Sequence, residues 1–190
     1  MAYAMARIYS GTGANGAEEL AEIALKELAP KLMEGGGLTR YATIVFSDGR
    51  LWSFSAYESQ QAAGRGQQIA AELVKGHKAF QNLKLDATME GEVLYAAQGS
   101  VPMTGRLHGV PRVYTTSAST DEVKDAFENE AGEIIRSLPG LARYTVVKLT
   151  DGQSSEQAKS LRAKSGTKIA ITLPSDPEIL EGTVIGSHHG

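Results

Sequence analysis

Gly37-Leu38-Thr39-Arg40-Tyr41-Ala42-Thr43-Ile44-Val45-Phe46-Ser47-Asp48-Gly49-Arg50 returns later in the chain as Gly140-Leu141-Ala142-Arg143-Tyr144-Thr145-Val146-Val147-Lys148-Leu149-Thr150-Asp151-Gly152-Gln153. The two stretches align without a gap and agree at Gly, Leu, Arg, Tyr, Asp and Gly, where chance supplies about one match. Ile44/Val147, Phe46/Leu149 and Ser47/Thr150 agree in kind. The echo reaches upstream to Arg7-Ile8-Tyr9 against Arg112-Val113-Tyr114, and downstream to Glu90-Gly91-Glu92-Val93 against Glu181-Gly182-Thr183-Val184. A repeat of this span implies two copies of one supersecondary unit.

Outward from this stretch the grammar of the first copy is legible. Arg7 to Ser10 reads as a strand. Asn15 then supplies a helix cap with Glu18 in capping-box spacing, and Leu20, Ile23, Ala24, Leu28 and Leu32 recur at helical intervals. Pro30 bends the last turn, and Gly35-Gly36-Gly37 ends the helix. Tyr41 to Phe46 and Leu51 to Tyr57 form a hairpin through Asp48-Gly49. A two-residue loop there pairs Phe46 with Leu51 and Ile44 with Ser53 on one face, and Val45 with Trp52 and Thr43 with Phe54 on the other. Both faces are apolar, so a second copy or a second subunit must cover the one that helices do not. Ser59 caps a second helix with Ala62, Gly66, Ile69, Leu73, His77 and Phe80 along one stripe, and a last strand runs near Gly91 to Ala96.

The order β-α-β-β-α-β is the split ferredoxin-like motif. The fold class is therefore α+β: tandem ferredoxin-like repeats with antiparallel sheets, the first over residues 1–98, a glycine-containing linker over 99–110, and the second over 111–190. In the second copy Ser119 caps a helix with Glu122 three residues later, and Ala126, Phe127, Ala131, Ile134 and Leu138 line its buried side before Pro139-Gly140. This copy is degenerate after Gly152. Gln153 to Gly166 is polar, and Lys168-Ile169-Ala170-Ile171-Thr172-Leu173 alternates like a displaced strand. A polar insertion before that strand is the favoured reading, loss of the second helix the other.

Composition narrows the chemistry. With 42% hydrophobic residues in 190, the chain can pack a core. Nineteen basic against 22 acidic residues give a net charge of −3 without a like-charged block, so nucleic acid is not an expected partner. Absence of cysteine excludes disulfides, thiolate metal sites and a thiol nucleophile. Met1 to Ser10 lacks a signal-peptide pattern and no apolar run is long enough for a membrane span, so a soluble, cytoplasmic protein with no membrane partner is expected.

With strand, glycine-stopped helix, Gly-Leu-Thr-Arg-Tyr strand, Asp-Gly hairpin and Trp52-Ser53-Phe54 in this order, the first half resembles the antibiotic-biosynthesis-monooxygenase-like (ABM-like) branch of the dimeric α+β barrel superfamily. The resemblance implies two sheets facing each other as a barrel, formed within this chain or across a homodimer. It also implies a pocket between sheet and helices for a small hydrophobic or aromatic ligand. The activity implied is a cofactor-independent, monooxygenase-like reaction on a small aromatic compound. The other reading is a non-catalytic small-molecule-binding or assembly protein of the same fold, its barrel filled by Trp52 and Phe54. Haem-degrading members are implied to use a first-strand asparagine with a tryptophan and a haem-ligating histidine near the second helix, a region that His77 occupies. Here the first strand is Arg7-Ile8-Tyr9-Ser10 and the sole tryptophan, Trp52, falls on the third strand. No cofactor, haem included, and no metal is expected.

The candidate ligand-binding residues are Arg40, Tyr41, Trp52, His77, Arg143 and Tyr144; no catalytic residue can be assigned. The Arg-Tyr pairs recur at equivalent strand starts, where they orient an anionic or phenolic ligand, or else a tyrosine fills core and an arginine covers it. Trp52 beside Thr43 and Val45 makes an aromatic wall or an ordinary inter-sheet core. His77 is a metal ligand, a general base or a core cap. His188-His189 reads as a tail.

Overall fold

The computed structural model describes residues 1–102, 106–113, 118–150, 178–179 and 182–189. The chain opens with strand β1 (Tyr3–Ser10), from which it turns through Gly11 and Gly13, both at positive φ. A Cβ on Gly11 would stand 2.6 Å from the Asn82 carbonyl oxygen, so glycine is required at this turn. The turn starts helix α1 (Gly13–Ile23) three residues earlier than the expected Asn15 cap implies. Thr12 holds the cap position without a side-chain bond.

Helix α1 continues through a π-helical segment (Ala24–Leu28) into α2 (Ala29–Gly36), and Gly37 closes it in the left-handed conformation at φ 66°. The wider turn lies just before Pro30, which lacks an N–H and crowds the carbonyl four residues back. The π segment accommodates the proline. Ala17, Leu20, Ala21, Ala24, Leu28 and Leu32 form the buried stripe; a fully buried leucine contributes about 2 kcal/mol.

Strands β2 (Leu38–Phe46) and β3 (Leu51–Tyr57) form the anticipated hairpin in a different register. Gly49 donates to the Phe46 carbonyl at 3.0 Å, Phe46 donates to the Arg50 carbonyl at 2.9 Å, and Gly49 has φ 85°. This is a three-residue loop with a glycine bulge rather than a two-residue turn. Asp48 pins it, accepting from the Arg50 amide at 3.1 Å and the Arg50 Nε at 2.7 Å. The extra residue moves the pairing by one: Val45 faces Leu51, Ile44 faces Trp52 and Ala42 faces Phe54. Trp52 and Phe54 thus share their face with Ile44 and Ala42, and not with Thr43 and Val45 as the shorter turn requires.

Ser59 caps helix α3 (Gln60–Gly76) as expected, accepting from the Ala62 amide at 3.2 Å. A 3-10 turn (Lys78–Phe80) leads to β4 (Lys84–Gln98). These four strands lie in the order β2-β3-β1-β4 with every neighbouring pair antiparallel, an α+β sheet of the ferredoxin-like kind.

Within the segment expected as a linker, β5 (Leu107–Gly109) is a short strand, followed by β6 (Arg112–Val113). Helix α4 (Thr120–Asp125) has the full capping box between Ser119 and Glu122. It too passes through a π segment (Ala126–Ala131) into α5 (Gly132–Ser137). That wider turn advances the helix by one residue, so Ile135 is buried while the expected Ile134 and Leu138 are 66% and 45% exposed.

Strand β7 (Arg143–Leu149) pairs with β4, and β9 (Gly182–His189) pairs with β2, extending the sheet to β5-β9-β2-β3-β1-β4-β7. β8 (Glu178–Ile179) pairs with β6. His188 and His189 therefore belong to a strand, opposite Tyr41 and Arg40, and not to a tail. The expected polar insertion and the Lys168-to-Leu173 strand lie outside the described residues. Among the described residues no helix is long and apolar enough to cross a membrane.

Candidate functional site

Alternation along the strands divides the sheet into two chemically distinct faces. Toward the helices point Tyr3, Met5, Arg7 and Tyr9 of β1, Tyr41 of β2, and Leu51, Ser53, Ser55 and Tyr57 of β3. Helix residues Ala24, Leu28, Leu32, Ala70 and Val74 face them across a cavity of about 50 Å³, with Phe80 and Leu83 at its end. Glycine shapes this wall. A Cβ on Gly66 of α3 would meet the Tyr57 ring at 2.5 Å, so the bare helix backbone gives that ring its place.

Arg7 is the one charged residue among those lining the cavity. It forms no ion pair among the described residues; its Nη2 contacts the Met5 Sδ at 3.7 Å. Three phenols surround this guanidinium. Burial pushes Tyr9 above the usual phenol range, with Arg7 and Ser53 opposing. Burial raises Tyr41 strongly, helped by the nearby Tyr9 and Tyr57, and raises Tyr57 against Ser55 and Arg7. A cation with no carboxylate partner among the described residues, in a largely apolar chamber and ringed by neutral hydroxyls, is suited to hold an oxyanion.

These shifts fix the alkaline behaviour. The folded chain holds the three phenolic protons more tightly than the unfolded chain does. Their contribution to stability is intact below about pH 10 and falls as pH rises above it, by up to about 1.4 kcal/mol per pH unit for each tyrosine. A phenolate absorbance titration should show part of the seven tyrosines lagging behind the rest. Uniform titration near the ordinary phenol value would mean the chamber is open to water.

Of the residues the sequence singled out, Tyr41 alone reaches this cavity. Arg40 follows it in alternation onto the opposite face, where its guanidinium lies 4.7 Å from the centre of the Phe54 ring and its Nη1 donates to Thr145 Oγ1 at 2.9 Å. Trp52 is there too, 5.6 Å from Phe54, packed with Ile8, Ile44, Phe46 and Ala87. A ligand held beside both Trp52 and Tyr41 would have to pass through the sheet. Arg143 is on β7, and Tyr144 packs with Tyr95 and with Phe127 and Ile135 of the helix from α4 to α5.

His77 follows the last residue of α3 instead of lying on its apolar stripe. Its Nδ1 accepts from the Ala79 amide at 3.2 Å and its Nε2 lies 3.8 Å from Glu27. His77 thereby caps the 3-10 turn that follows α3. Sequence reasoning missed Arg7, Tyr9, Ser53, Ser55 and Tyr57. The available signal was an arginine and serines on the helix-facing register of strands whose neighbours there are apolar.

No protein-family model matches the chain, and no curated protein matches it. Solved structures do. One is an anthrone oxidase-like protein, 12% identical, covering 99% of this chain and 93% of its own length at a TM-score of 0.56. Another is a candidate monooxygenase from Lactobacillus acidophilus, 10% identical, covering 100% and 97% at a TM-score of 0.67. The likeness is one of fold. It extends over both halves of the chain, including the second sheet contribution from β7 and β9.

Proposed function

We propose that the chain is a tandem α+β barrel of the ABM-like branch, in which the cavity around Arg7 binds a small phenolic or enolic compound and oxidises it with dioxygen. The tandem reading is supported by register. Phe46, Ile44 and Thr43 of β2 face Gly182, Val184 and Gly186 of β9. Their sequence equivalents Leu149, Val147 and Val146 of β7 face Gly91, Val93 and Tyr95 of β4. Even the bulge falls at the same place in both ladders, and a π segment recurs at the same place in both helices. Strands exchanged in this way, with Arg40 of β2 reaching Thr145 of β7 on the helix-free face, support a barrel closed within one chain.

The observation that carries the activity is Arg7, a guanidinium in the cavity with no carboxylate partner among the described residues, set among three phenols whose protons burial retains. A ring compound with an acidic C–H or O–H binds there as its anion, with Arg7 on the oxygen. Removing that proton prepares the substrate to give electrons to dioxygen. For an activated ring methylene, as in an anthrone, one oxygen atom becomes the new carbonyl and the other leaves as water with both methylene hydrogens. The carbon supplies all four electrons, so no external reductant is required.

A second reading rests on volume. About 50 Å³ is roughly a third of the cavity that takes up a benzene ring, so a ring enters only if side chains such as Leu28, Leu32 or Val74 move. A chain whose side chains do not yield would be a binding or assembly protein. An oxygen electrode separates the two: the purified protein with anthrone or a substituted hydroquinone, without added cofactor, should consume dioxygen above the autoxidation rate. Consumption equal to the rate without protein across both probes rejects the oxidase reading.

A further inference from the structure

On the sheet face opposite the cavity, two arginines from equivalent positions of the repeat come together. Arg40 of β2 and Arg143 of β7 are joined through β7 itself, since Arg40 Nη1 bonds Thr145 Oγ1 at 2.9 Å, two residues along the strand from Arg143 and on the same face. The Nε atoms of both arginines are buried and have no hydrogen-bond partner. Neither guanidinium has a carboxylate within ion-pairing distance among the described residues. Trp52 Nε1, on the same face, is a further buried donor without an acceptor.

Buried donors are costly when unpaired, and buried like charges side by side are costlier still. Burial, with Arg143 adding to it, lowers the Arg40 pKa to about 10, and burial lowers that of Arg143. Guanidinium stays protonated at ordinary pH. Burial is the main cause of the depression, and among the described residues no carboxylate offsets it. Burying such a set makes physical sense when an acceptor of opposite charge completes it. Each Nε–H also forms one arm of the planar fork that arginine uses to grip two oxygens at once.

We propose that Arg40 and Arg143 bind one small oxyanion inside the barrel, between the two copies, with acceptor oxygens directed at both guanidinium groups. Phosphate and a short dicarboxylate share this chemistry. The Phe54 ring under Arg40, with the Trp52 ring beyond it, floors the site and helps fix the plane of the Arg40 fork. The site lies across the sheet from the Arg7 cavity and does not depend on the oxidation proposed there. An anion here would tie β2 of the first copy to β7 of the second, so it acts as an internal link between the halves.

The test uses the full chain and inorganic phosphate, with ionic strength held constant by sodium chloride, and reads the melting temperature. Phosphate should raise it saturably, by about 5–10 °C at a hundredfold excess over the dissociation constant. Malonate run in parallel distinguishes the sources: a larger shift than with phosphate assigns a dicarboxylate, a smaller one phosphate. Arg143→Lys keeps the charge and removes the Nε–H fork, and should abolish the saturable shift, as should Arg40→Met with Arg143→Met. Should the double variant fail to fold, Arg143→Lys alone decides. Shifts no greater than with chloride for both anions, or a saturable shift that survives Arg143→Lys, overturn the proposal.

Discussion

Gly91→Ala is expected to cost about 4 kcal/mol or more, enough to unfold a protein of ordinary stability. A Cβ at this position would lie 1.7 Å from the Lys148 carbonyl oxygen, 2.7 Å from its carbon and 3.0 Å from the Leu149 Cα. All three atoms belong to the backbone of β7, so no side-chain rotation can relieve the overlap. Gly91 also pairs with Ala4 of β1 on its other side, which leaves β4 no direction in which to retreat. Urea unfolding reads the result in two ways. A lower midpoint at unchanged slope reports global destabilisation, whereas a lower slope reports that β7 has detached and the native state has lost buried surface. Gly64→Ala is the control. Gly64 is in α3 with open space around it, and alanine there should stabilise by about 0.5–1 kcal/mol. A cost below 1 kcal/mol at Gly91 would contradict the β4–β7 ladder.

The second large effect is on ligand binding. Arg7→Met keeps an unbranched stem of similar length and removes the charge, so affinity for a phenolate, and kcat/KM if the oxidase reading holds, should fall about 10- to 100-fold. Stability should change little, because Arg7 has no ion pair among the described residues to lose. Arg7→Lys should recover part of the affinity, a point charge replacing a fork. Binding of 4-nitrophenolate, followed by its absorbance, checks all three proteins. Equal affinity in wild type and Arg7→Met would remove Arg7 from the site, whatever the oxygen electrode reports.

The two predictions draw on different kinds of information. Strand and helix positions are written locally, in the alternation of Leu51 to Tyr57, the Ser59 cap, the glycine stop at Gly37 and, in the second half, the capping box at Ser119. Each depends on neighbours within a few residues. The α+β order and the ferredoxin-like sheet follow from that list, and the echo between Gly37 and Gly140 pointed to where the second half would add its strands.

Register and facing were not written there. Asp48-Gly49 suits a two-residue turn as well as the three-residue loop with a bulge that the chain adopts, and the choice depends on the Arg50 pairing across the hairpin. One residue of difference exchanges the neighbours of every side chain on the strand. The π segments acted similarly on the helices, turning Ile135 inward and Ile134 outward.

The site shows this most clearly. Arg40 and Tyr41 are adjacent in sequence and look like one motif, yet alternation sends them to opposite faces, Tyr41 to the Arg7 cavity and Arg40 to Arg143. By itself the sequence determined which elements exist and in what order, because capping, periodicity and turn chemistry act over a few residues. Tertiary structure alone decided that Arg7 stands with Tyr9, Tyr41 and Tyr57, and that Arg40 meets Thr145. Those neighbours come from strands distant in sequence, and their meeting is set by ladder register and by burial.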